Sequence, residues 1–195
     1  MNKRVFFVFF SIFSIFYISN LSAQQYRVGI TITGLSIHPR GANNAHLQRF
    51  GLDKRGVFVF NPGIAFSFEY FLFRDIFSIK FVQALYVDCA AQLGGFTHIG
   101  MRHKIFNNEV HSLYGGLGPT FIFRRSWHRL DGYMDELEVF FRGGPEHNWQ
   151  WRFIWFGGEL EYNYSINDEI DLSLMVVPAV PFNIFLAPGI RMNQE

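Results

Sequence analysis

Two Ser-x-His spacings, Ser36-Ile37-His38 and Ser126-Trp127-His128, are the arrangements in this sequence that could activate a nucleophile. Residues two apart on an extended strand share a face, so either pair could set an imidazole beside a hydroxyl, and Asp131 could orient His128. That is the minimum for a serine attacking an acyl ester. His111-Ser112 does not qualify, because adjacent strand residues point to opposite faces. The plainer reading of both pairs is polar residues at strand ends. A second set is ionic: Lys80, Asp88, Arg102, Arg124, Glu159, Glu161 and Asp171. If these face one interior they must pair with one another, since an unpartnered buried charge is costly. Their expected role is a structural lumen network rather than a proton path or pore.

The loop-type segments carry weaker signals. Arg40, Arg49, Lys54 and Arg55 fall in one long connection and suit phosphates on lipid or lipopolysaccharide through charge-assisted hydrogen bonds. Asp131, Asp135, Glu136 and Glu138 are oxygen ligands for a hard cation, but their spacing matches no EF-hand. Solvated connections are the simpler reading of both, and of the isolated His46 and His147. The single cysteine, Cys89, allows no internal disulfide, and no Cys/His spacing suggests zinc. Neither a metal nor a cofactor is expected. Gly94-Gly95, Gly115-Gly116 and Gly157-Gly158 read as bends or close backbone approaches within strands rather than as phosphate cradles.

Composition narrows the class. Of 195 residues, 49% are hydrophobic and only 17% charged, with 25 phenylalanines and 18 glycines. The formal charge is +1, and it becomes −1 if Lys3 and Arg4 are removed, so a polybasic nucleic-acid binder is excluded. Those two residues precede the apolar run Val5–Ile18, and Ser19-Asn20-Leu21-Ser22-Ala23 follows it. This is the pattern of a secretory signal over residues 1–23, cleaved after Ala23. The run is short for a membrane-spanning helix.

From residue 24 onward, large apolar side chains recur at every second position. Val28, Ile30 and Ile32 oppose Arg27, Gly29, Thr31 and Thr33; Phe58, Phe60, Ile64, Phe66, Phe68 and Tyr70 oppose Asn61, Gly63, Ala65, Ser67 and Glu69. Further segments repeat this at Phe77–Val87, Leu93–Lys104, Leu113–Arg124, Trp149–Tyr164, Ile170–Val176 and Ile184–Met192, with Ile154, Phe156 and Leu160 assigned to one apolar face. Period two means strands, about eight of them. Short links at Phe73-Arg74-Asp75, Asn107-Asn108-Glu109 and Ser165–Asp168 alternate with long ones at Ser36–Arg55 and His128–Asn148. The expected fold is all-β: one antiparallel up-and-down transmembrane β-barrel over residues 24–195, with short periplasmic turns, long extracellular loops and aromatic girdles. A soluble barrel of the lipocalin type also alternates, but points its apolar face inward around a ligand. The small and sparsely charged second face suits a packed lumen better than a wet surface. Pro62, Pro119, Pro178 and Pro188 run against regular strands and mark expected bulges or ends.

The stretches Gly34-Leu35-Ser36-Ile37-His38-Pro39, His98-Ile99-Gly100-Met101-Arg102 and His111–Phe121 resemble uncharacterised small outer-membrane β-barrel proteins of Bacteroidota-type bacteria. The resemblance implies architecture and a Gram-negative outer-membrane location, with outer-membrane lipids and lipopolysaccharide as neighbours, no nucleic acid, and a protein partner unknown. It implies no catalytic residue. Small barrels of this kind are structural or surface-interacting, or they are enzymes that modify acyl chains of lipid A or phospholipid. The Ser-x-His order here departs from the His-x-Ser order of lipid A deacylases. The leading expectation is therefore a structural or surface-contact role, with a deacylase-like enzyme and a soluble carrier of apolar ligands as alternatives.

Overall fold

The computed structural model describes residues 25–73, 76–134, 140–178 and 184–194. The expected signal segment lies outside the described residues, as do Arg74, Asp75, Asp135, Glu136 and Glu138. Eight strands follow in order: β1 (Tyr26–Ile37), β2 (Phe58–Phe73), β3 (Phe77–Val87), β4 (Leu93–Asn107), β5 (His111–Arg125), β6 (Trp149–Ser165), β7 (Ile170–Pro178) and β8 (Ile184–Gln194). Each pairs antiparallel with the next, and β1 pairs with β8, so the sheet closes on itself. Closure gives every strand a neighbour on both sides. One end of the barrel carries the β2–β3, β4–β5 and β6–β7 turns. The opposite end carries the β1–β2 and β5–β6 loops and the tight Asp88–Gln92 connection.

Alternation decides which face looks inward. Ile30, Ile32, Ile64, Phe66, Met101, Leu117 and Leu172 are exposed on the outside, while Thr31, Ser67, Glu69, Lys80, Arg102, Glu161 and Arg191 are buried within. The larger apolar face is thus the outer one. A soluble carrier of apolar ligands needs the reverse, so that alternative does not have this chain's geometry.

The lumen is packed, but it is not uniform in polarity. Its long-loop half holds an apolar cluster of Ala65, Val82, Ala84, Tyr86, Phe96, Ile122, Met175, Val177, Phe185 and Ala187. Most of the buried ionic groups occupy the short-turn half, with Asp88 and Arg124 at the other end. Eight strands enclose a space that side chains fill, and here they fill it in two tiers.

Two prolines sit at irregularities in the ladder. Between β1 and β2, Thr33 pairs with Gly63 but Leu35 pairs with Phe60, which leaves one extra residue on β2 beside Pro62. The buried Thr33 hydroxyl donates to the Asn61 carbonyl at 3.0 Å, satisfying a group the interrupted ladder releases. Between β5 and β6, Gly118 pairs with Gly157 and Thr120 with Ile154, so β6 gains a residue opposite Pro119. Proline offers no N–H to the ladder, and a bulge absorbs the gap.

The β6 bulge inverts the phase of its strand. Below it Leu160, Tyr162 and Tyr164 point outward; above it Trp149, Trp151, Phe153 and Trp155 do, with Trp155 and Phe156 exposed side by side at the bulge itself. Ile154, expected on the outer face with Phe156 and Leu160, instead turns inward against the apolar cluster. One inserted residue shifts a period-two pattern by half a period.

Replacing Thr33 by valine strands the Asn61 carbonyl in a buried site and should lower stability by about 1–3 kcal/mol. The midpoint of urea unfolding measured on the refolded barrel checks this, and an unchanged midpoint would contradict the role given to the hydroxyl.

Candidate functional site

The short-turn half of the lumen is built around three carboxylates and three cations, Glu69, Glu159 and Glu161 with Lys80, Arg102 and Arg191. They come from five strands, β2, β3, β4, β6 and β8. Glu161 is the hub: its Oε2 lies 2.8 Å from Lys80 Nζ, 2.7 Å from Arg102 Nη2 and 2.9 Å from Arg191 Nη1. Arg102 reaches the other two acids as well, Glu69 at 3.0 Å and Glu159 at 3.1 Å. Arg191 also donates to Glu69, which accepts a further hydrogen bond from Ser78 at 2.5 Å. All six side chains are essentially inaccessible, and their charges cancel.

Small residues make room for this cluster. A Cβ on Gly116 would stand 2.7 Å from Arg102 Cγ and 2.9 Å from Glu159 Oε1, and one on Gly100 would meet Glu159 Oε1 at 3.0 Å. Glycine there is a matter of space for neighbouring side chains. Beneath the cluster, the Arg102 guanidinium lies 4.8 Å from the Tyr114 ring centroid, and Arg27 donates to the Tyr114 hydroxyl at 2.9 Å.

Four of the seven residues assigned from sequence to a lumen network, Lys80, Arg102, Glu159 and Glu161, meet in this one cluster. Asp171 sits lower in the lumen and accepts from Ser165 at 2.7 Å. Asp88 and Arg124 belong to the opposite end. Glu69 and Arg191 complete the cluster without having been assigned to it, although both fall on the inward phase of alternating strands and Arg191 stands between the outward Ile190 and Met192.

At the long-loop end, the loops and strand ends enclose a cavity of about 620 Å³. Arg124 is fixed on one wall, its guanidinium 3.9 Å from the Trp127 ring centroid and 4.0 Å from that of Phe141, with Nε donating to Gln150 at 2.9 Å. Asp88 accepts from Trp127 Nε1 at 2.7 Å and from the Gln92 and Ala90 peptide N–H groups at 2.7 and 3.0 Å. Burial pushes its carboxyl above the ordinary aspartate range, against the pull of those donors and of Arg124. Burial likewise pushes the Cys89 thiol up to about 12, so it stays protonated and unreactive.

The Ser-x-His residues do not form hydrogen-bonded pairs. Ser126 is fully buried with its hydroxyl unpartnered, while His128 Nε2 lies 3.1 Å from the Gly143 carbonyl and its ring packs edge-on against Tyr133. Asp131 is exposed. The Ser36 hydroxyl accepts from Asn61 Nδ2 at 2.8 Å, and His38 closes the start of the first loop through its peptide N–H to Val57. Arg40, Arg49, Lys54 and Arg55 are all exposed, and of these Arg40 lines the cavity. No group of three or more potential metal ligands occurs among the described residues.

Comparison with protein families and with curated proteins finds no match. Among solved structures, the chain is similar to Ail, the attachment invasion locus protein of Yersinia pestis, with TM-score 0.49 and 10% identity over 89% of this chain and 100% of that one. It is also similar to the N-terminal β-barrel domain of Pseudomonas aeruginosa OprF, with TM-score 0.47 and 12% identity over 86% and 97%. Neisserial surface protein A gives TM-score 0.42 and 12% identity over 88% and 97%. Likenesses this distant say nothing of activity; the barrel rests on the chain's own strand pairing.

Glu161 holds three cations, so Glu161→Leu leaves buried positive charge uncompensated and should cost about 3–5 kcal/mol. Ser173→Ala removes a hydroxyl that has no partner and should change stability by less than about 0.5 kcal/mol. Urea titration of both variants tests the pair, and equal losses would show that the carboxylate is not the hub.

Proposed function

We propose that this chain is an outer-membrane β-barrel of a Gram-negative envelope, exported by a signal segment over residues 1–23, with a structural or surface-contact role. One observation carries the reading. An apolar outer face runs around the closed sheet, and the charged groups are inside. Ile64, Met101 and Leu117 are each more than 60% exposed near the middle of their strands, and so large an apolar surface is unstable in water. In lipid it is the ordinary exterior of a barrel whose strands pair around a closed sheet. Tyr26, Phe77, Tyr162 and Tyr164 ring the short-turn end, and Phe58, Trp149 and Trp151 the other, where amphipathic rings suit the two interfaces.

The lumen supports a sealed rather than a conducting barrel. Among the described residues, neutralised ions below and packed apolar side chains above fill the lumen. The acyl-modifying alternative draws no support from Ser126, whose hydroxyl has no base, or from Ser36, whose hydroxyl accepts from an amide. Function then resides in the lipid contact and in the loops of the longer end. The exposed Arg40, Arg49, Lys54 and Arg55 are placed to meet phosphates of lipopolysaccharide, with the short turns facing the periplasm.

The purified chain should need detergent and should migrate differently before and after boiling. Leu117→Lys should cost about 2–4 kcal/mol in lipid vesicles, because a charge at mid-depth meets hydrocarbon. Planar bilayers containing the protein should show no discrete conductance steps. A chain soluble without detergent, indifferent to boiling and to Leu117→Lys, would overturn the reading.

A further inference from the structure

The apolar outer wall carries a polar interruption. Alternation turns Phe81, Gln83 and Leu85 of β3 outward, since Val82 and Ala84 between them are fully buried in the lumen. It turns Thr97 and Ile99 of β4 outward in the same way, beside the buried Phe96 and His98. Gln83 and Thr97 are cross-strand partners. Phe66 of β2 stands opposite Gln83 and Phe121 of β5 opposite Thr97, so the row across these strands reads Phe66, Gln83, Thr97, Phe121. Elsewhere among the described residues, outward positions away from the strand ends hold apolar or aromatic side chains, glycine or proline. Of the outward polar groups at the rims, His103 pairs across to the first residue of β3, His111 begins β5 and Arg125 ends it.

Gln83 lies near the middle of β3, the depth at which a transmembrane barrel meets acyl chains. Lipid tails offer an amide neither donor nor acceptor, and a polar group there is costly unless protein supplies its hydrogen bonds. The barrel supplies them in part. Gln83 Oε1 accepts from the Thr97 hydroxyl at 2.7 Å, while Nε2 donates to the Ala84 and Phe96 carbonyls at 3.2 Å each, the long end of the ordinary range. Oε1 retains a second lone pair. Neither closing the sheet nor filling the lumen uses this amide.

We propose that Gln83 and Thr97 form the centre of a two-fold contact with a second copy of the chain. Copies inserted in one membrane share orientation and depth, so a two-fold axis along the membrane normal sets each residue of the contact face level with its own counterpart. A primary amide is its own complement, with donor and acceptor on one group. Each Gln83 keeps Thr97 as donor to its Oε1, turns one N–H away from the wall and gives it to the other copy's Oε1, which returns the same bond. Phe66 and Phe121 close around the amides and keep lipid from them, as apolar rims do around polar contacts. Lipid headgroups lie at the level of the rims and do not reach this depth, and an unrelated protein would need a matching amide at the same level. The inference rests on the outer-membrane reading, because only a chain held at fixed depth in lipid has this symmetry.

Sedimentation equilibrium of the full-length mature barrel in density-matched detergent, run at several protein-to-detergent ratios, tests it. The unaltered chain should dimerise. Gln83→Leu makes the face more apolar, which a merely greasy contact would tolerate, yet it should weaken the dimer at least roughly tenfold through loss of the exchanged hydrogen bonds. Thr97→Val should weaken it less, and Leu172→Ala on the outer face of β7 should leave it unchanged. Each variant is accepted only if its boiling-dependent mobility shift is intact. A chain that stays monomeric at every ratio while still shifting on boiling overturns the inference and leaves the outer-membrane reading standing. A dimer indifferent to Gln83→Leu, or weakened by Leu172→Ala instead, overturns it as well, and so does a monomer recovered from membranes only in complex with a different protein. Solubility without detergent and absence of the shift in the unaltered chain overturn the outer-membrane reading, and the inference with it.

Discussion

Six ionised groups sealed inside a narrow barrel must satisfy one another, and the rest of the structure accommodates that demand. Glu69, Glu159 and Glu161 meet Lys80, Arg102 and Arg191 in direct contact, and their formal charges cancel. Such a cluster adds little stability beyond what packed apolar groups would give, because desolvation offsets most of the attraction. Its consequence is register. Slipping any of the five contributing strands by one residue would carry its charge to the outer face and leave an opposite charge alone inside. The glycines at positions 100 and 116 follow from the same demand, since the cluster occupies the volume their side chains would take.

The apolar tier above the cluster has a related cause. A lumen filled with charge along its whole length would need many more matched partners, and each mismatch would be a buried orphan. Phe96, Tyr86 and Phe185 fill the upper half without electrostatic conditions, and they form a floor under the loop-end cavity. The barrel is therefore filled by paired ions at one end and carries an open, chemically varied cavity at the other.

Most of the architecture could be read from the sequence because period two survives in nearly every strand, and a barrel needs little beyond alternation and turns. Where alternation broke, the reading broke with it: Ile154 was assigned to the wrong face because the extra residue opposite Pro119 is invisible without its pairing partner. The interior cluster was legible in part. Lys80, Arg102, Glu159 and Glu161 could be assigned inward from their strands, but nothing local says that Glu69 and Arg191, more than a hundred positions apart, touch. The cavity was legible only in single residues. Asn61 and Arg124 fall on the inward phase of β2 and β5, but Phe141 joins them through loop geometry, which has no periodicity to read, and in the Ser-x-His spacings that drew attention first one hydroxyl accepts from Asn61 and the other is buried without a partner.

β8 brings Arg191, which pairs with Glu69 and Glu161, and it is also the strand that closes the sheet against β1. Until it docks, the interior carries one negative charge too many and the sheet has two raw edges. Both defects are most costly where water is scarcest, and both vanish in a single event. A half-built intermediate therefore has no comfortable resting place in the bilayer. Assembly should proceed as an all-or-none step whose slow moment is the arrival of the final strand, so that incomplete chains are rejected rather than stored.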